Sequence, residues 1–280
     1  FDLLFYNGDI LLVYAACSLF VIPLIRQSNK VLFAAAIFFA LQPIELVYIV
    51  LGLLNPELTP LYLGSNEDFG AIMPQQINGS FFDVAWVSLK HGIPVNFTWA
   101  IENGRFTQTI FLFIAGILLG RYRYLYDEGN NRLHWKKTML YSLIGFAVFY
   151  PLYTYVPGTI DNVCVSHSLG IMLKAWMNLS MMLFYVSGIT WLYHCTKAGK
   201  KLIVIAPYGK MSLTNYMTQS IFGAMLFYGW GFGLYQYCGH TLSLLLGIAF
   251  VGLQYLFCRW WLKNHKRGPF EELWRKATWI

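Results

Sequence analysis

The sequence Gly209-Lys-Met-Ser-Leu-Thr-Asn-Tyr-Met-Thr-Gln-Ser220 carries polar side chains into a segment that, as far as Trp230, is otherwise apolar enough to span a membrane. Ser212, Asn215 and Gln219 are spaced three and four residues apart, so on a helix they form one polar stripe. Polar groups in hydrocarbon need hydrogen-bond partners. The stripe therefore predicts either bonds between neighbouring helices or the lining of a ligand path, and both interpretations remain open.

The composition of the whole chain indicates a membrane protein. Of its 280 residues, 57% are hydrophobic and only 12% are charged, which is too apolar for an ordinary soluble domain. A transmembrane helix needs about 20 mostly apolar residues, and about seven such segments can be marked. We predict an all-α, polytopic helical bundle that forms a single membrane domain over residues 1–280. Because the chain enters an apolar segment soon after Phe1, we expect it to be the C-terminal part of a longer protein.

Turn residues and charges bound the predicted helices. The helices cover residues 9–25, 31–54, 106–122, 138–155, 167–193, 212–230 and 242–262. Gln42-Pro43 predicts a kink in the second helix. Residues 55–104, punctuated by proline and glycine, are predicted to form a long extracytoplasmic loop in which residues 81–89 form a short interfacial helix. Residues 263–280 mix basic, acidic and aromatic side chains, which is typical of an interfacial tail.

The distribution of positive charge predicts the orientation. Most of the 20 Lys and Arg residues lie in the loops after the first, third and fifth helices and at the end of the chain. Such loops stay in the cytoplasm, so we expect a multi-pass protein with a cytoplasmic C-terminus. The same loops explain the net charge of +7, and they favour contact with anionic membrane lipids. Nucleic acid is therefore not expected as a partner.

Ionisable residues near the outer ends of the predicted helices are candidates for chemistry. Asp9 begins the first helix, and Glu45 lies within the second. A charged group at membrane depth must be paired or face a cavity, so we predict that Glu45 lies close to Lys174 of the fifth helix. The alternative is that Lys174 extends to the headgroups. His91 and His167 can each act as a base near neutral pH, or can be solvated loop residues.

Sequence motifs exclude several other chemistries. There is no Walker loop, dinucleotide fingerprint, nucleophile elbow or H-E-x-x-H. The five cysteines lack metal-ligand spacing, so no metal site is predicted. A disulfide between Cys164 and Cys238 remains open, because both are expected in loops on the same outer side.

Four motifs, in a fixed order along the chain, can be compared with those of known protein families. They are Asn7-Gly-Asp-Ile-Leu-Leu-Val-Tyr-Ala15, Gly104-Arg-Phe-Thr-Gln108 followed by the run 113–121, the stretch 209–220, and Arg267-Gly-Pro-Phe-Glu271 with Trp274-Arg275. These motifs resemble the YeiB-like family of bacterial inner-membrane proteins, whose C-terminal half is known as domain of unknown function 418. Lys210 stands where that family usually has Arg, which keeps the charge.

The resemblance implies a location in the bacterial inner membrane and a distant similarity to transmembrane acyltransferases. It implies transfer of an acyl group from a cytoplasmic donor, such as acyl-CoA, to an extracytoplasmic glycan or lipid acceptor. In that interpretation the catalytic residues are Glu45 and His167, the substrate-binding residues are Ser212, Asn215, Gln219, Asp9 and Lys174, and the donor-phosphate residues are Arg121, Arg123, Lys210 and Arg267. The alternatives are a transporter or channel for a small polar or lipidic solute and a non-catalytic membrane subunit. A homo-oligomer is compatible with each.

Overall fold

The computed structural model describes residues 8–127 and 129–278, and within these ranges the regular structure is helical, without strands. The α-helices are α1 (Ile10–Val21), α2 (Asn29–Ala40), α3 (Pro43–Leu54), α4 (Ser65–Asn78), α5 (Phe81–Val87), α6 (Ile93–Glu102), α7 (Arg105–Arg121), α8 (Asn131–Tyr155), α9 (Val163–Cys195), α10 (Lys197–Lys200), α11 (Ala206–Lys210), α12 (Ser212–Phe227), α13 (His240–Trp261) and α14 (Pro269–Thr278). The expected all-α class is confirmed.

Among the described residues, fewer than seven helices meet the length and composition expected of a membrane span. By length and composition, the spans Asn131–Thr159, Val163–Cys195 and His240–Trp261 can cross a membrane, and α2 and α3 pass the same test together as one bent pair. All seven predicted segments are helical, but α1, α7 and α12 have only 12, 17 and 16 residues. A span needs about 20 residues, so the count of seven is not confirmed.

The kink predicted at Gln42-Pro43 is confirmed. α2 and α3 are bent by 47° at this point, and Gln42 adopts a positive φ of 55°. Pro43 begins α3 and has no N–H to continue the hydrogen bonds of α2. The buried Gln42 side chain accepts a hydrogen bond from the hydroxyl of Thr107 on α7, which helps to hold this strained conformation.

Residues 55–104 differ from the expected loop because they contain three helices, α4, α5 and α6, and a π turn at Ser88–Gly92. The short helix expected at 81–89 is present as α5. The Ser80 hydroxyl accepts from the Asp83 backbone N–H, and the Asp83 carboxylate accepts from the Ser80 N–H, so a capping box begins this helix. Pro94 lies two positions after the π turn, inside a helical run that continues without a break from α5 to α6. Proline was therefore a misleading loop signal here.

The chain divides into two compact units. The α8–α9 unit comprises residues 10–65 and 96–200, and the α12–α13 unit comprises residues 66–95 and 201–278 together with Gly8 and Asp9. In the α8–α9 unit, fully buried side chains of α1, α2 and α7 form the core, among them Cys17, Leu32 and Ile114. Each unit is described separately below, and the single-domain organisation stays a prediction.

The disulfide considered between Cys164 and Cys238 is not formed, because both residues are free thiols. Cys164 is buried in the contact between α9 and α3, where its thiol lies 3.5 Å from the Tyr48 carbonyl oxygen. Gly52 makes this contact close, since a Cβ on it would lie 3.2 Å from the Cβ of Cys164. The thiol is therefore part of helix packing.

Candidate functional site

The main candidate site is a cavity of about 580 Å³ in the α8–α9 unit. Its lining comes from the end of α6 and from α7, α8 and α9, and it includes Arg105, His167 and Lys174. None of the described residues that line it is acidic. Cavities of this size hold small molecules, and the basic lining suits an anionic group.

The geometry at the start of α7 places Arg105 at this cavity. Gly104 has a positive φ of 65°, and a Cβ there would lie only 2.7 Å from a side-chain carbon of Ile171 on α9. Glycine therefore allows both the backbone conformation and the close approach. Arg105 Nη1 donates to Gln108 Oε1 at 2.8 Å, and Gln108 Nε2 donates to the Ala175 carbonyl oxygen at 3.3 Å. The G-R-x-x-Q motif thus orients one guanidinium and leaves most of its five donors for a ligand.

Glu45 does not pair with Lys174 as predicted. The Glu45 side chain is 2% exposed, accepts a hydrogen bond from the Ser168 hydroxyl, and has one oxygen, Oε1, without a hydrogen-bond partner in the described structure. Lys174 is exposed and lines the cavity. Ser168 and Lys174 are six positions apart, or about 600° on an α-helix, so they lie on different sides of α9.

His167 lies at the same cavity as Lys174 and is exposed. It is the residue before Ser168, so the hydrogen bond from Ser168 to Glu45 fixes the helical turn that carries this imidazole. The structure therefore brings His167, Lys174 and Arg105 to one cavity, whereas Glu45 does not line it and bonds to Ser168. The other predicted substrate-binding residues belong to the α12–α13 unit.

Asn215 of the predicted polar stripe joins helices. It is 3% exposed, its Nδ2 donates to the Tyr208 carbonyl oxygen at 3.0 Å, and its Oδ1 accepts from the Cys258 thiol at 3.3 Å. Gln254 of α13, also buried, donates to the Asn215 carbonyl oxygen at 2.9 Å and to Thr218 Oγ1 at 2.9 Å. The polar face of α12 that bonds to Gln254 therefore contains the buried Asn215 and the half-buried Thr218, whereas Ser212 is exposed.

Gln219 is exposed and lines a second cavity of about 490 Å³ between α12 and α13. Tyr216 lines the same cavity, and its hydroxyl donates to Asp9 Oδ1 at 2.6 Å. The parallel rings of Phe222 and Phe250, with centroids 4.1 Å apart, form part of its apolar wall. Asp9 therefore orients a phenol at the polar end of a mostly apolar cavity.

Arg121, predicted to bind donor phosphates, serves the packing of the α8–α9 unit. Its guanidinium donates to the carbonyl oxygens of Ile25 and Gln27 and to Asn29 Oδ1, the last two at 2.8 and 2.7 Å. It thus satisfies carbonyl groups after the 3₁₀ turn that follows α1.

The other three donor-phosphate candidates are exposed. Arg123 lies 4.6 Å from the ring centroid of Tyr126 in the α8–α9 unit. Lys210 ends α11, and Arg267 lines a third cavity, both in the α12–α13 unit. The predicted phosphate site thus divides between the two units, and its role stays a proposal.

One contact between helices has no counterpart among the predictions from the sequence. Glu271 of α14 accepts from the Thr214 backbone N–H at 3.0 Å and from the Thr214 hydroxyl at 2.5 Å. Thr214 Oγ1 in turn accepts from the Phe270 N–H at 3.2 Å. Both ends of this contact lie in two of the four ordered motifs of the sequence, and that position is the one signal that the sequence offers.

A second contact that was not predicted joins His91 to Asp68 in the α12–α13 unit. The distance from His91 Nδ1 to Asp68 Oδ1 is 2.7 Å, and His91 lies in the π turn between α5 and α6. The sequence marks His91 as a candidate base but gives no signal for its partner, which lies 23 positions away.

The comparisons with known proteins decide the family. Residues 119–280 match the family model described as Protein of unknown function (DUF418). The chain belongs to the DUF418 family. This match covers α8 to α14 and therefore includes part of the first cavity and the whole lining of the second and third.

Three bacterial relatives extend the comparison. The DUF418 chain is 31% identical to uncharacterised protein YxaH of Bacillus subtilis over 172 residues, and 33% identical to uncharacterised protein YeiB of Escherichia coli over 79 residues. These alignments cover 60% and 28% of the chain. It is also 25% identical, over 98% of its length, to an uncharacterised 39.9 kDa protein in the amylase 3′ region of Bacillus acidopullulyticus. The chain spans 39%, 20% and 66% of the three proteins, respectively. No solved structure matches it.

Proposed function

We propose that the protein is a membrane-embedded acyltransferase and that the cavity of the α8–α9 unit binds its acceptor. The observation that carries this proposal is the position of Arg105, His167 and Lys174 around one cavity without an acidic lining residue among those described. Two permanent cations can bind a phosphate or carboxylate of a glycan or lipid acceptor. The third group, a histidine, is the usual general base for a hydroxyl.

The proposed reaction assigns one step to each group. His167 takes the proton from an acceptor hydroxyl, and the oxygen attacks the carbonyl carbon of an acyl thioester. The carbon–sulfur bond breaks, and the protonated His167 returns the proton to the leaving thiolate. Arg105 and Lys174 orient the acceptor, and Glu45 acts as a positioning residue through Ser168.

The test measures acyl transfer by the purified protein in lipid nanodiscs. Radiolabelled acetyl-CoA is supplied together with total bacterial glycolipids, and both release of the coenzyme A thiol and labelling of the acceptor are followed. His167→Gln is expected to lower the rate by about 10²- to 10⁴-fold. His240→Gln is the matched control, because His240 is exposed, begins α13 and does not line the cavity.

Two outcomes would refute the proposal. The first is transfer at the wild-type rate by folded His167→Gln protein. The second is the absence of thiol release at saturating acetyl-CoA by wild-type protein that retains its thermal stability.

A transporter is the second candidate because of one observation. Glu45 is buried beside the break between α2 and α3 and has an oxygen without a partner in the described structure. Broken helices with ionisable groups form substrate and ion sites in transporters. Solute uptake into proteoliposomes that is lost in Glu45→Gln protein, without any thiol release by the wild type, would favour transport.

A further inference from the structure

A third cavity, of about 440 Å³, lies where α13 ends and α14 begins. Lys266, Arg267 and Lys276 line it together with His265, and Glu272 is the one acidic residue among its described lining residues. Three permanent positive charges thus face one negative charge. This lining suits a phosphate group.

Hydrogen bonds and ring packing hold the turn that carries these cations. Trp261 Nε1 donates to the Arg267 carbonyl oxygen at 2.8 Å, and the Trp261 and His265 rings stack with centroids 4.0 Å apart. The other side of the cavity is held because Glu271 of α14 binds Thr214 of α12. The basic groups therefore extend from a fixed frame.

The position of the cavity along the chain places it at a membrane surface. α13 is long and apolar enough to cross a membrane and ends at Trp261. α14 exposes Leu273 and Trp274, which are 62% and 68% exposed and adjoin basic residues. Exposed aromatic and aliphatic side chains beside Lys and Arg are typical of helices at the membrane interface. A ligand of this cavity would therefore lie at headgroup depth.

We infer that the cavity between α13 and α14 binds the phosphate of an anionic membrane lipid. Lys266, Arg267 and Lys276 contact the phosphate oxygens, while Leu273 and Trp274 extend among the acyl chains. This inference is independent of the proposed acyl transfer, which uses a cavity in the other unit.

Native mass spectrometry of the purified chain tests the inference by counting bound lipids. Phosphatidylglycerol is compared with phosphatidylcholine of the same acyl chains. The variant Lys266→Gln/Arg267→Gln removes two cavity cations, and Lys263→Gln/Arg275→Gln removes two exposed cations nearby that do not line the cavity. If phosphatidylglycerol were held only by general attraction to positive charge, both double variants would bind it equally less tightly than the wild type. A lipid site predicts a loss of about tenfold or more in phosphatidylglycerol affinity for the cavity variant alone.

Competition identifies the source of the phosphate. Inorganic phosphate and coenzyme A are added at rising concentration to protein with bound phosphatidylglycerol. Little displacement by either supports the lipid, whereas full displacement by coenzyme A would assign the cavity to a soluble donor and overturn the inference. Equal losses in the two double variants, or equal binding of the two lipids, would overturn it as well.

Discussion

Replacing Glu271 by Ala should loosen the contact between α14 and the start of α12. Thr214 is the third residue of α12, where backbone N–H groups have no partner within the helix. The carboxylate of Glu271 accepts from this N–H and from the hydroxyl of the same threonine. Because Thr214 is only 1% exposed, water does not replace the lost acceptor.

The magnitude follows from the two donors that lose their partner. A buried donor without a partner costs about 1–3 kcal/mol. The Thr214 hydroxyl can rotate toward another acceptor, so the cost for this donor lies near the lower end of that range. Together the two donors then contribute about 2–4 kcal/mol to the free energy of docking α14. Tenfold in an equilibrium constant corresponds to about 1.4 kcal/mol, so amide exchange in α14 should accelerate by about 30- to 1,000-fold.

Hydrogen exchange of the protein in nanodiscs, read by mass spectrometry over residues 269–278, measures this change. Glu272→Ala is the matched control, because Glu272 is the next residue and its ion pair with Arg275 is long, at 3.9 Å, and solvent-exposed. Surface changes of this kind usually stay within about 0.5 kcal/mol. Equal exchange of α14 in the two variants would refute the proposed role of Glu271.

Three further predictions concern other parts of the chain. Gly247→Leu should fill the second cavity and lower acyl transfer if a ligand enters it. Gly116→Leu on α7 is the control and should leave acyl transfer unchanged. Both leucines fit sterically at the Cβ, because a Cβ at either position has no atom within 4 Å. Arg121→Lys should lower the free energy of unfolding by about 1–2 kcal/mol, measured by detergent-induced unfolding, because one ammonium cannot span the three acceptors. The hydrogen bond from the Arg132 guanidinium lowers the pKa of Asp127. The pair therefore stabilises the fold fully at pH values above the ordinary carboxyl pKa of about 3.9. This contribution is lost as the pH falls through the lowered pKa. Carboxyl NMR titration should place the Asp127 midpoint below the ordinary carboxyl pKa in the wild type and nearer to the ordinary pKa in Arg132→Gln protein.

The helices and the bend could be predicted from the sequence because their signals are local. Apolar length marks the helices, and Pro43 interrupts the hydrogen bonds of the second helix at a definite residue. The helices between residues 55 and 104 are not predicted from the sequence because the local signal there, a high content of proline and glycine, indicates a loop. Pro94 lies just after the π turn inside a continuous helical run, and Pro74 lies within α4. The residue type alone therefore does not separate a loop from a helix that tolerates proline.

The site was harder to predict because its contacts join distant residues. Helical spacing correctly placed polar groups on α12, but it could not select the buried ones. Thr218 extends the polar arc on one side of Asn215, and Ser212 extends it on the other. Gln254 of α13 and Glu271 of α14 decide which side is buried, and they lie 39 and 57 positions from their partners on α12.

The motif at the start of α12 consequently combines two roles. Asn215 uses its side-chain amide and its carbonyl oxygen to join helices, so a substitution there should lower stability before it lowers any activity. Tyr216 and Gln219 line a cavity instead, and Gln219 is exposed. A loss of activity in Asn215→Leu protein therefore does not establish ligand binding. A loss of activity in Gln219→Leu protein with unchanged thermal stability does establish ligand binding, because the Gln219 side chain can be replaced without removing a buried hydrogen bond.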